Sequence, residues 1–71
     1  MAAVHTSSGV VATFDDGRGL GQVTGEDGTT LPFHCTAIAD GSRTIAEGTA
    51  VTYEVVAGRM GRWEAARVTP S

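Results

Sequence analysis

Apolar residues along this chain recur in short alternating runs, and helical spacing is nearly absent. The first run spans residues 10–14 and ends at Asp15-Asp16-Gly17. The second spans residues 20–23 and leads into a polar segment, residues 24–30, where Glu26-Asp27-Gly28 is a strong hairpin cue. A third run covers residues 31–35, with Ala37-Ile38 turning into a short 3₁₀ segment, and Asp40-Gly41-Ser42-Arg43 makes the next turn. The fourth run, residues 51–56, alternates cleanly behind Glu47-Gly48. A glycine-containing turn at residues 58–62 then leads into a fifth run at residues 63–68.

Alternation assigns faces to these strands, because successive side chains point to opposite sides. Val51, Tyr53 and Val55 share one face of the fourth, and Leu31 and Phe33 share one face of the third. Pro32 lies opposite them and lacks an N–H, which suits an edge or a bulge. The inward set is Val11, Val23, Leu31, Phe33, Ile38, Ile45, Val51, Tyr53, Val55, Ala66 and Val68. Five short strands around one core, with no long helix, predict an all-β fold. The expected form is a small five-stranded antiparallel barrel, since closure removes vulnerable strand edges. Residues 1–8 read as a flexible N-terminal tail and residues 9–69 as the barrel domain.

Composition narrows the function classes. The 71 residues make one domain, and a chain this small buries only about 60% of its unfolded surface. Cys35 is the single cysteine, so no internal disulfide forms, and a reducing cytoplasmic setting is expected. With His34 and a tail His5 it makes no convincing metal set. Cys35 and His34 are neighbours on a strand, so they face opposite ways and make a poor catalytic pair. The glycines around Arg18 lack a following helix and a Lys-Ser/Thr ending, so they read as a turn entering a strand. The expectation is a protein that is not an enzyme, with neither metal nor cofactor. The first eight residues lack the basic and apolar regions of a signal peptide, and no run is long enough to span a bilayer. Net charge is −3, with five arginines and no lysine, which argues against strong, indiscriminate phosphate binding.

Two segments carry a specific signal, Arg18-Gly19-Leu20-Gly21-Gln22-Val23 and Leu31-Pro32-Phe33-His34-Cys35-Thr36-Ala37-Ile38. Their order and spacing resemble the Lys-Gly-Phe-Gly-Phe-Ile and Val-Phe-Val-His-Phe-Ser-Ala-Ile motifs of the cold-shock domain family, a five-stranded OB-type barrel. Gly9-Val10-Val11-Ala12-Thr13-Phe14-Asp15 is similar to the family's Gly-x-Val-x-Trp-Phe-Asn, and Asp40-Gly41-Ser42-Arg43-Thr44-Ile45 to its Asp-Gly-Phe-Arg-Thr-Leu. Glu64-Ala65-Ala66-Arg67-Val68 resembles its Gln-Ala-Ala-Asn-Val. The resemblance implies single-stranded RNA or DNA lying across an aromatic platform, with basic residues following the phosphates.

The platform itself is largely replaced. The family's Trp is Thr13, its two Phe of the first motif are Leu20 and Gln22, those of the second are Pro32 and Cys35, and a loop Phe is Ser42. Each stacked base is worth about 1–3 kcal/mol, so losing several rings turns a tight binder into a weak one. Only Phe14, Arg18 and His34 keep a residue type at its expected position. Phe14 reads equally as a stacking ring or as the end of a core strand, and Arg18 equally as a contact or as an ordinary surface side chain. His34 is expected to point outward beside Phe14. Trp63 reads as a cover for one barrel end or as a relocated stacking ring, with Arg59 and Arg62 beside it for phosphates.

The expected interface is therefore Phe14, Arg18, Leu20, Gln22, His34, Arg59, Arg62 and Trp63, binding single strands weakly in a chaperone-like role. The alternative is a protein-interaction module, or a weak homodimer, built on the apolar replacements Leu20, Pro32 and Cys35. No membrane partner is expected.

Overall fold

A curled sheet accounts for nearly all regular structure in the computed structural model, which describes residues 6–58 and 61–71. Its strands are β1 (Thr6–Asp15), β2 (Leu20–Gly25), β3 (Thr30–His34), β4 (Ala50–Ala57) and β5 (Trp63–Pro70), with a 3₁₀ turn at Cys35–Ala37. All neighbours are antiparallel, in the order β3-β2-β1-β4-β5. The outer strands meet: Ile38 bridges Val68, and the Ala39 N–H donates to the Val68 carbonyl at 2.9 Å. The result is the small five-stranded OB-type barrel that the alternating pattern and the motifs predict.

β1 is the shared wall. Its last part pairs with β2 and its first part with β4, and Gly9 and Val10 pair with both. A side chain on Gly9 would collide with the Thr24 carbonyl, so the crossing needs glycine there. Thr6–Ser8, expected in the tail, are strand and pair with Glu54, Tyr53 and Thr52. The remainder of that tail, residues 1–5, lies outside the described residues.

The core contains Val11, Val23, Leu31, Phe33, Ile38, Val51, Tyr53, Ala65 and Val68, with Ile45 packed half-buried against it. Each fully buried aliphatic or aromatic side chain contributes about 1.5–3 kcal/mol by leaving water. Two expected members are misplaced, each for a physical reason. Ala66 yields its inward position to Ala65, because β5 carries an extra residue opposite β4 between Thr52 and Glu54. That irregularity includes Arg67, whose φ of +49° is unusual for a side-chain-bearing residue. Val55 keeps its alternation but is 39% exposed, because the barrel is open at that end.

A second irregularity re-aims β1. Val11 pairs with Val23 and Thr13 with Gln22, which leaves Ala12 without a partner. Past it the phase shifts, so Thr13 faces out and Phe14 packs against the core. Pro32 sits on β3, whose other edge has no ladder partner among the described residues, as its missing N–H requires.

Candidate nucleic-acid interface

Strand register, not sequence proximity, assembles the outer face of β1–β3. Thr13, Gln22 and Pro32 lie side by side in one cross-strand row, and Asp15, Leu20 and His34 form the next. With Arg18, Thr36 and Glu64 these residues line an open trough of about 900 Å³. Glu64 reaches it from β5, the strand that closes the barrel beside β3.

The floor is set by Gly21. A Cβ there would lie 2.7 Å from the Phe33 ring and 2.8 Å from the Phe14 ring, so only glycine fits. Those two rings stack at 5.9 Å between centroids with 20° between planes. Phe14 is thus half-buried behind the trough, and not beside His34 as its motif position suggests.

His34 is fixed by its own turn. Its Nδ1 accepts the Thr36 N–H at 3.2 Å and lies 2.9 Å from Thr36 Oγ1. Because Nδ1 accepts a backbone proton, the neutral ring carries its hydrogen on Nε2, which is left free to donate outward. The β1–β2 turn holds Arg18 in place: the Asp15 carboxylate accepts the Arg18 N–H at 3.2 Å, and the Asp15 carbonyl accepts the Gly19 N–H at 2.8 Å. The Arg18 guanidinium also stands 3.8 Å from that carboxylate. An exposed pair of this kind is worth only about 0–1 kcal/mol, so a phosphate can compete for the arginine. The trough is otherwise mixed in sign, since Asp15 and Glu64 line it together with Arg18.

The structure brings together Arg18, Leu20, Gln22 and His34. It does not bring Trp63 to them. Trp63 and Glu64 are adjacent on β5 and point apart, so Glu64 enters the trough while Trp63 lines a separate groove with Tyr53 and Val55. Trp63 is 60% exposed, so among the described residues it stands at the rim of that groove and does not seal the barrel end. Arg62 is exposed but lines neither space, and Arg59 lies outside the described residues. Thr13, Thr36, Glu64 and Arg43 lie within the motif segments but are not among the expected interface residues. Arg43 lies in the loop after the 3₁₀ turn and lines a smaller recess of about 340 Å³ that shares His34 and Thr36 with the trough. Its place in the Asp-Gly-Ser-Arg motif is a signal that could have identified it, whereas the motif at residues 64–68 gives no sign that Glu64 reaches a face built by β1–β3. Among the described residues no three His, Cys, Asp or Glu gather as a metal set, and no helix is long and apolar enough to cross a membrane.

Sequence similarity to known proteins points to one family. Residues 7–71 match the model of the 'Cold-shock' DNA-binding domain. The chain is 44% identical over 55 residues to cold shock protein 2 of Lactiplantibacillus plantarum, covering 76% of this chain and 83% of that protein. It is 39% identical over 64 residues to cold shock protein 1 of the same organism, covering 89% of this chain and 96% of that one. With its five-stranded barrel and both central motifs in register, the chain belongs to the cold-shock domain family, a family of DNA- and RNA-binding domains.

Proposed function

We propose that this domain binds single-stranded RNA or DNA weakly across the outer face of β1–β3 and keeps bound strands unstacked, as a chaperone would. The observation that carries the reading is the shared register of Thr13–Gln22–Pro32 and Asp15–Leu20–His34, which makes one continuous surface of both family motifs. Leu20 is 47% exposed and offers a base an apolar contact. The His34 ring stacks or donates from Nε2, and the Gln22 amide hydrogen-bonds base edges. Arg18 takes a phosphate at one end, and Arg43 takes another across the His34 recess. One stacking ring where the family uses several, and two carboxylates beside the path, keep the affinity low.

The test is titration of a labelled heptathymidine and an RNA hexamer by fluorescence anisotropy. His34→Ala is expected to weaken binding about fivefold or more, since a lost stacking contact costs about 1–3 kcal/mol, and Leu20→Ala to weaken it by a smaller but measurable factor through lost apolar contact. Trp63 emission is expected to stay unchanged. Unaltered binding in both variants would refute this surface. Absence of binding at low salt would favour a protein partner for the exposed Leu20 and Pro32.

A further inference from the structure

The open barrel end carries a second surface unlike the first. Trp63, Val55, Leu31 and Tyr53 line a groove of about 550 Å³, and Glu26 and Asp27 of the β2–β3 turn stand at its rim. Trp63 and Val55 follow the inward alternation of their strands yet are 60% and 39% exposed, because the core ends before the strands do. A small barrel loses stability by leaving such apolar surface wet, so the mouth suits an occupant that comes and goes.

Charge decides which occupant. Among the described residues no arginine lines the groove, and the acidic residues that do stand beside the Tyr53 hydroxyl. Their proximity is felt by that phenol, which burial first, then Asp27 and Glu26, push above its ordinary value. A nucleic-acid strand would bring phosphates against two carboxylates, which disfavours it here. A guanidinium is favoured twice, by the carboxylates and by the face of an exposed indole. Asp27 is also held in place, since its carboxylate accepts the Thr29 N–H at 2.9 Å.

We infer that this groove docks a basic segment of a partner protein, seating an arginine between the Trp63 ring and the Glu26–Asp27 carboxylates with a neighbouring apolar residue against Val55. The surface lies on a different part of the barrel from the β1–β3 trough, so both are open at once.

The full chain tests this directly, because Trp63 is its single tryptophan. The probe is a blocked peptide of alternating arginine and leucine, compared with the same peptide carrying serine in place of arginine. The arginine peptide is expected to change Trp63 emission saturably, and the serine peptide to leave it unchanged. The double variant E26Q/D27N is expected to weaken the arginine peptide about tenfold; Asn at position 27 still accepts the turn N–H. Asp16→Asn, at the far β1–β2 turn, is compared charge for charge with the single variant Asp27→Asn: the first is expected to alter binding less than twofold and the second to weaken it about threefold. Heptathymidine anisotropy on E26Q/D27N is expected to match or slightly exceed that of the parent, which separates this site from the trough. Equal responses to both peptides would overturn the inference. So would equal weakening by the charge changes at the two turns, which would mark attraction to overall negative charge alone.

Discussion

At the scale of single residues, backbone geometry sets what each side chain can do. Gly21 is occupied on its inner side by the Phe14 and Phe33 rings, so Gly21→Ala must push one ring aside. We expect a loss of about 1–3 kcal/mol by chemical denaturation, the usual cost of overpacking a filled core. Phe14→Ala is expected to destabilise by a similar or larger amount, since its ring is stacked on Phe33, and any loss of oligonucleotide binding would follow from that. Arg67 makes a cleaner test. It holds φ +49° and pairs with Glu54 at 3.5 Å. Arg67→Ala removes the pair and keeps the strain, while Arg67→Gly removes both. The glycine variant is expected to be the more stable of the two by about 1 kcal/mol, and equality would deny the strain.

Elements show where the sequence was legible and where it was not. The strand positions follow from alternation because each strand has one buried face, and the turns follow from Asp-Gly and Glu-Asp-Gly cues. What alternation could not foresee is an unpaired residue. Ala12 in β1 and the extra residue near Arg67 in β5 each reverse the phase for the rest of their strand. The first turns Phe14 inward, and the second exchanges Ala66 for Ala65. The motifs located Arg18, Leu20, Gln22 and His34 together because β2 and β3 are joined by a short hairpin with uniform register. Trp63 and Glu64 depended on barrel closure, a long-range property with no local signature. β3 supplies a prediction at this scale. Pro32 leaves its open edge without a donor, so Pro32→Val restores an N–H to an exposed strand. Concentration-dependent self-association by sedimentation is expected in that variant and not in the parent.

For the whole molecule, acidity and the open barrel end govern behaviour. Two phosphate contacts, at Arg18 and Arg43, imply a log K against log salt slope of about −1.4 for a single strand. Three arginines beside a stacked Trp63 would give about −2 instead. Alkaline pH reports on Tyr53, the single tyrosine of a chain without lysine. Its phenol is raised above 10.0 in the fold by burial and then by Asp27 and Glu26. The unfolded chain therefore ionises first. Stability is flat with respect to this group below about pH 10 and falls as pH rises towards the folded value, a fall that Tyr53→Phe abolishes. At the acid end, Asp27 and Asp40 are held below 3.8, chiefly by the Thr29 and Ser42 N–H groups respectively. Their contribution is present at neutral pH and is lost as pH falls through that range.

The central claim is that single strands lie on β1–β3 and not on Trp63. The measurement that tests it most directly is the map of backbone amide shifts of ¹⁵N-labelled protein titrated with heptathymidine. Shifts concentrated at Thr13, Arg18, Leu20, Gln22, His34 and Thr36, with Glu26, Asp27 and Trp63 still, are the predicted result. Shifts concentrated at Trp63 and its groove, or none at excess oligonucleotide in low salt, would contradict it.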